Sequence, residues 1–239
     1  MTGLTGWWRL DETSGNKARD ASGRGNTGTL YTFASPSTTA SGWNPGKLDG
    51  ALAFDGGSDY VSVGMTGINY EKMTVSFWVK FNNVQGAVGN STIILGSRYW
   101  VNNNFCINQV SADYTVAFVV GVNSYVSLRA ANGTPAFSAT GEWYHFVYSY
   151  DSTQATWADA LKIYVNGQTK AFLTMVGTPK RIQTTTPIKM GSGDSYWGGS
   201  LDDVRIYNRA LTEDDAIALY HNGGPTRVRN AVIRSGVIH

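Results

Sequence analysis

The sequence predicts an all-β fold, an antiparallel sandwich of two sheets closed by one short C-terminal helix. Three observations carry that expectation. Apolar residues alternate at period two through most of the chain, which sends successive side chains to opposite faces of a strand. Aromatic residues make up 13% of the sequence and glycines number 28, a mixture suited to strands joined by tight turns. One segment alone carries both start and stop signals for a helix. With 239 residues, the chain suffices for one large all-β domain or two small ones, and either buries a substantial core.

Taken in order, the N-terminal "MTGLTGWWRL" lacks a charged segment leading into an apolar run, so no signal peptide is expected there, and no stretch has the length of a membrane span. Next, "DASGRGNTGTL" at 20–30 places Gly23, Gly25 and Gly28 at the G-x-G-x-x-G spacing. A phosphate-cradling loop needs a strand before it and a helix after it, so that N–H groups at the helix N-terminus meet the anion. The polar "NKARD" upstream and the Thr/Ser-rich "TGTLYTFASPSTTASG" downstream supply neither. A surface turn or a metal-binding loop is left.

Strands are expected at 51–55, 59–63, 73–81, 91–97, 114–122, 125–130, 143–151 and 200–207. The pattern is clearest in "MTVSFWVKF", where Val75, Phe77, Val79 and Phe81 take one face and Thr74, Ser76, Trp78 and Lys80 the other. In "LKIYVNGQTKAFL", Asn166-Gly167 between two alternating runs marks a hairpin with a type I′ turn. Strands joined by short turns, with almost no helix between them, specify an antiparallel sandwich rather than an alternating α/β sheet. The helix is read in "LTEDDAIALYHNGGP": Thr212 is the N-cap, Glu213, Asp214 and Asp215 occupy the first turn, where the dipole favours anions, and Gly223-Gly224-Pro225 is the stop. The domain is therefore expected to span 1–224. A basic, strand-prone tail follows at 225–239 and carries Arg227, Arg229 and Arg234.

The formal net charge is +2. Three arginines without an acid in the tail leave the rest of the chain near neutral, so no basic footprint points to nucleic acid. Cys106 is the only cysteine, which excludes an intrachain disulfide and a thiolate zinc cage; in "NFCINQV" it reads as a small strand residue. His145 shares a strand face with Trp143 and Val147 and is expected to pack within the sheet, while His221 in the last helical turn compensates the dipole.

Eight stretches occur in one order: "GWWRLDETSG", "DASGRGNTGTL", "GALAFDGGSDYVSV", "MTVSFWVKF", "GEWYHFVYSYD", "LKIYVNGQ", "IKMGSG" and "GSLDDVRIYNRALTEDDAIALYHNG". Over residues 6–223 they resemble the laminin G-like jelly rolls of the concanavalin A-like lectin and glucanase superfamily. The resemblance implies a jelly roll of two packed, curved antiparallel sheets, in agreement with the alternation. It also implies a precedent for calcium, held between an aspartate at the start of the last strand and oxygens of loops near the N-terminus. On that precedent Asp202, expected to point inward with Val204 and Ile206, joins Asp20 and an oxygen of Asn26 as hard ligands. The alternative is an Asx-type turn at Asp20 and Ser22, with Asp202 taking backbone or arginine donors.

Members of this superfamily range from lectins and adhesion modules to glycosidases and structural domains, so function has to come from a site. The laminarinase-type glycosidases carry E-x-D-x-x-E on one strand, a spacing absent here. Glu213, Asp214 and Asp215 serve a helix start, and Asp202 and Asp203, adjacent on a strand, are expected on opposite faces. No catalytic residue is assigned, and no enzymatic activity is expected. Glycan binding is assigned to aromatic residues in polar loops, namely Trp43, Tyr99, Trp100, Trp157, Tyr196 and Trp197. Each is either a binding platform or a plug over the open end of the sandwich. Asn102, Asn103, Asp159 and Asp194 are candidates to orient sugar hydroxyls.

The functional expectation is a non-enzymatic binding or adhesion protein, an accessory or decoration protein of a virion made in the host cytoplasm. Its tail would anchor it to a capsid or tail protein while its loops meet a cell-surface polysaccharide, with no nucleic-acid partner and no membrane insertion. The alternatives are a lectin-like module of a larger secreted protein, hence extracellular, and a glycoside hydrolase.

Overall fold

Alternation along the strands resolves into two main antiparallel sheets whose inner faces share one core, with a small two-stranded ribbon beside them. The computed structural model describes residues 2–82, 91–97, 103–110, 115–120, 125–128, 140–171, 174–192 and 196–222. Along the chain run β1 (Leu4–Trp8), β2 (Lys17–Ala18), β3 (Gly28–Tyr31), β4 (Gly42–Pro45), β5 (Gly50–Asp55), β6 (Tyr60–Val63), β7 (Asn69–Tyr70), β8 (Lys72–Phe81), β9 (Ser91–Gly96) and β10 (Phe105–Val110). There follow β11 (Thr115–Val120), β12 (Tyr125–Leu128), β13 (Trp143–Asp151), α1 (Trp157–Ala160), β14 (Leu161–Val165), β15 (Gln168–Lys170), β16 (Thr174–Val176), β17 (Ile182–Gln183), β18 (Ile188–Met190), β19 (Gly198–Tyr207) and α2 (Glu213–Asn222).

The first sheet has the order β15-β14-β13-β8-β19-β5-β4, with β1 also on β19; the second runs β16-β12-β11-β10-β9-β18-β6-β3-β2. Val75, Phe77, Val79 and Phe81 of β8 enter the core, as their alternation predicts, and meet Phe105, Ile107 and Phe118 of the second sheet. The opposite face of β8 is buried as well. There α2 lays Leu219 and Ala216 against Val147, Tyr164 and Tyr207. Thr212 begins α2 as predicted: its Oγ1 accepts from Asp215 N at 3.2 Å, and Asp215 Oδ2 accepts from Thr212 N at 3.2 Å, a reciprocal cap. Asn166 and Gly167 both take positive φ, 52° and 74°, the type I′ geometry expected of the β14–β15 hairpin.

Two local departures matter for the site. The G-x-G-x-x-G loop leads into β3, a strand, so no helix N-terminus faces it. In β19 the expected alternation fails. Asp202 pairs with Trp78, but Arg205 pairs with Ser76, one residue out of register. This bulge sits where β19 leaves β5 for β1, and Asp203 there has φ 50°. The extra residue keeps Leu201, Val204 and Ile206 in the core and puts both Asp202 and Asp203 on the outer face, which corrects the expectation of opposite faces. The tail at 225–239, with Arg227, Arg229 and Arg234, lies outside the described residues.

Candidate functional site

The bulge creates a sealed polar cluster on the outer face of the first sheet. Asp203 Oδ1 accepts from Arg205 Nε and Nη2 at 3.0 and 2.8 Å and from Trp7 Nε1 at 2.7 Å, and the Arg205 guanidinium lies 4.7 Å from the Trp7 ring centroid. Burial raises the Asp203 carboxyl above its ordinary value, against the pull of Arg205 and Trp7. Asp202, fully buried, does not join Val204 and Ile206 in the core as expected. It lies beneath the turn after β4, where its Oδ2 accepts from Leu48 N at 2.7 Å. Burial pushes its carboxyl up to about 8, with Asp203 adding to the shift and the Leu48 N–H opposing it. Ser76 Oγ lies 3.0 Å from His145 Nε2, yet neither residue is exposed, so no substrate reaches the pair. Burial, then the charge of Arg205, holds the His145 imidazole down to about 3, and the ring is neutral.

Asp20 organises the glycine loop. Its Oδ1 accepts from Trp7 N at 3.0 Å and Ser22 N at 2.8 Å, and its Oδ2 from Asn26 N at 2.8 Å. Burial opposes ionisation, but the Ser22, Asn26 and Trp7 donors prevail and lower the carboxyl below its ordinary value. Asn26 is committed likewise: its Nδ2 donates to Thr5 O and its carbonyl accepts from Trp8 Nε1. The structure brings Asp20 and Asn26 together but engages Asp202 with Leu48. Among the described residues no three His, Cys, Asp or Glu side chains gather as a metal cage. Asp20 is held by three N–H donors of the glycine loop and β1, whereas Asp202 serves the turn after β4, its Oδ2 on Leu48 N and its Oδ1 without a donor. Carboxylates committed to separate turns do not fit a calcium shared by these three residues. The Asx-turn alternative describes Asp20.

The aromatic candidates divide. Trp157 is buried in α1, its Nε1 donating to Val176 O and Gly177 O, and Trp197 is fully buried with its Nε1 on Gln109 Oε1 at 2.9 Å. Both are plugs, because each indole N–H finds its acceptor inside the fold. Trp43, in β4, also belongs to the core, its Nε1 donating to Gly15 O, and it borders a 480 Å³ surface cleft with Phe33, Thr13, Asn16 and Thr32. Of the polar neighbours, Asn103 Nδ2 donates to Gln183 Oε1 and Asp159 Oδ2 accepts from Thr156 Oγ1. Tyr99, Trp100, Asn102 and Asp194 lie outside the described residues.

Tyr196 belongs to a cluster that the sequence did not assemble. Tyr31 and Tyr60, opposite one another on β3 and β6, stack with centroids 4.7 Å apart and planes 7° apart. Tyr196 packs on Tyr60 at 6.5 Å, and Lys189 Nζ on β18 lies 4.5 Å from the Tyr60 centroid. Tyr31 and Tyr196, 43% and 37% exposed, are the exposed large hydrophobic residues among those described. The backbone explains their placement. On β3, β6 and β18, Leu30, Val61 and Met190 enter the core, so the residues between them, Tyr31, Tyr60 and Lys189 among them, face outward. The alternation in "DYVSV" holds half the signal; the adjacency of β3, β6 and β18 holds the rest.

A laminin G family model, described as the concanavalin A-like lectin/glucanases superfamily, matches residues 55–216. No curated protein sequence matches the chain. Among solved structures, domain 4 of AbnA, a GH43 extracellular arabinanase from Geobacillus stearothermophilus in complex with arabinotriose, is similar at TM-score 0.64 and 21% identity, covering 91% of this chain and 98% of that one. The binding domain of Paraclostridial Mosquitocidal Protein 1 is similar at TM-score 0.65 and 17% identity, over 92% of this chain and 52% of its own. A native heptameric SAP-like pentraxin from Limulus polyphemus matches at TM-score 0.51 and 19% identity, over 69% and 76%. At such identities the likeness is one of fold, a lectin-like jelly roll.

Proposed function

The chain belongs to the concanavalin A-like lectin/glucanases superfamily, and from that premise we propose that it is a non-enzymatic glycan-binding module whose binding surface is the Tyr31–Tyr60–Tyr196 face. One observation carries the reading: the exposed large hydrophobic residues among those described gather in a single cluster of rings. Aromatic surface left in water and grouped in one place marks a recognition site, and tyrosine joins an apolar ring to a polar hydroxyl. A saccharide offers the complementary pair, a C–H face and a rim of hydroxyls.

The geometry gives the sugar a place. Tyr31 is 43% exposed, and Gly15, in the loop before β2, is open as well, since a Cβ there would meet nothing within 4 Å; the Tyr31 ring is therefore accessible to a stacked sugar. Thr32, the next residue, lines the Trp43 cleft, where hydroxyl and backbone groups can receive the rim of the same sugar or its neighbour. Of the carboxylates weighed from the sequence, Asp202 and Asp203 are buried, and Asp20 holds its loop.

Titration calorimetry against a panel of short oligosaccharides tests this. Arabinotriose belongs in the panel because the arabinanase domain of the same fold was solved with it. Tyr31→Ala is expected to weaken the best ligand at least about tenfold, or about 1.4 kcal/mol, with no reducing ends released. Unchanged affinity in Tyr31→Ala, or turnover of a bound sugar, counts against the reading. Carriage on a virus particle through 225–239 is a further part of the proposal, supported by the apolar and basic sequence of that segment. Its deletion is expected to abolish attachment to the particle and spare glycan binding.

A further inference from the structure

Beside the tyrosines, four adjacent strands align a row of polar residues. Lys17 on β2 pairs with Thr29 on β3, Thr29 with Ser62 on β6, and Ser62 with Lys189 on β18. Their chain neighbours Ala18, Leu30, Val61 and Met190 are core residues, so the whole row faces outward with Tyr31 and Tyr60. At one strand spacing per step, the two lysine Cα atoms stand roughly 14 Å apart, with two hydroxyls between them. Lys17 Nζ donates to Thr29 Oγ1 at 2.8 Å, and Lys189 Nζ rests over the Tyr60 ring. No acid occupies the row. Like several other surface cations, Lys17 and Lys189 take part in no described ion pair.

We infer that the saccharide selected by this face is anionic, its carboxylate or sulfate held between Lys17 and Lys189 while a ring stacks on Tyr31. The inference rests on the glycan reading and adds the sign of the ligand's charge to it. An ammonium over an aromatic face is held in place without using up its N–H donors, and Lys17, which gives one donor to the Thr29 hydroxyl, keeps two for a ligand. A neutral sugar approaching this row strips water from two cations and supplies no countercharge. A carboxylate or sulfate instead forms charge-assisted hydrogen bonds, roughly twice as strong as neutral ones. The rest of the domain is close to neutral, so the row is also a local attractor for an approaching anion.

The test uses the full chain and matched trimers: trigalacturonic acid, the same trimer fully methyl-esterified, and a sulfated galactose trimer, with single-stranded DNA as a polyanion control. At low salt, at least one acidic trimer is expected to bind about tenfold or more tighter than the methyl ester, an advantage that shrinks as salt is added. Whichever acidic trimer binds more tightly identifies the anionic group. Lys17→Gln and Lys189→Gln should each remove several-fold of this preference, weakening the acidic trimer more than the methyl ester, with the melting temperature unchanged. Tyr31→Ala should weaken acid and ester alike. Equal binding of acid and ester, or lysine variants that keep the preference, overturns the inference and leaves the glycan reading standing. DNA bound as tightly as the acidic trimers, through the same lysines, also overturns it. Failure of every saccharide to bind overturns both.

Discussion

The outer faces of the two sheets use the same chemistry to opposite ends. On the first, Lys47 Nζ lies 5.2 Å from the Trp78 centroid, and Trp78 is 2% exposed; on the second, Lys189 lies 4.5 Å from Tyr60, beside the exposed Tyr31. Around Trp78 the turn after β4, helix α2 and the β19 bulge close over the sheet, and Asp202, Asp203, Arg205 and His145 are sealed beneath them. Around Tyr60 the outward row stays partly exposed, with Lys17 and Tyr31 the most open. What separates a structural polar cluster from a recognition surface here is the cover laid over it, and residue type alone does not reveal that.

The largest break in this contrast is expected at Arg205. Arg205→Met leaves Asp203 buried without its cation and should cost about 3–5 kcal/mol in denaturant unfolding, while adding Asp203→Asn to it should recover part of the loss. Loss below about 1 kcal/mol would show that the cluster is not sealed.

Next comes pH. The Asp202 carboxyl is raised to about 8 in the fold, against about 3.9 when unfolded. Between these values the unfolded chain releases a proton that the fold retains, so its stabilising contribution is full below pH ~4 and is lost as pH rises through ~8, at up to about 1.4 kcal/mol per pH unit. Asp202→Asn should therefore melt higher than the parent at pH 8 and converge with it near pH 4. A calcium held by Asp202 would reverse that sign and make the melting temperature respond to chelator.

Asp20→Ala, which strips the acceptor from three backbone N–H groups, should cost about 1–3 kcal/mol and should not be rescued by added calcium. Smallest of all is the effect of Tyr31→Ala on stability. On an exposed face it loses one cross-strand stack, about 1 kcal/mol or less, although binding depends on it.

Much of the fold was legible because period two survives wherever one face is buried: β8, β13 and the Asn166-Gly167 hairpin follow from local pattern, as does the Thr212 cap. The β19 bulge was not legible, because "LDDVRIY" alternates on paper and the extra residue is set by the change of partner strand from β5 to β1. Trp157 and Trp197 stand among polar residues in sequence, and the acceptors that draw their indoles inside come from positions 176, 177 and 109. Lys17, Tyr31, Tyr60 and Lys189 carried no motif. Their juxtaposition exists only once β2, β3, β6 and β18 lie side by side, and long-range pairing of that kind leaves no trace in a local window.

Amide NMR on the labelled full chain, titrated with a short oligosaccharide that binds it, tests the contrast most directly. If the open face is the recognition surface, shifts concentrate at residues 15–17, 29–32, 60–62, 189 and 196, while Trp7, Leu48, Ser76, His145 and Asp202 to Arg205 stay still. Shifts confined to the Trp78 and Arg205 face, with Tyr31 and Tyr60 unmoved, would contradict it.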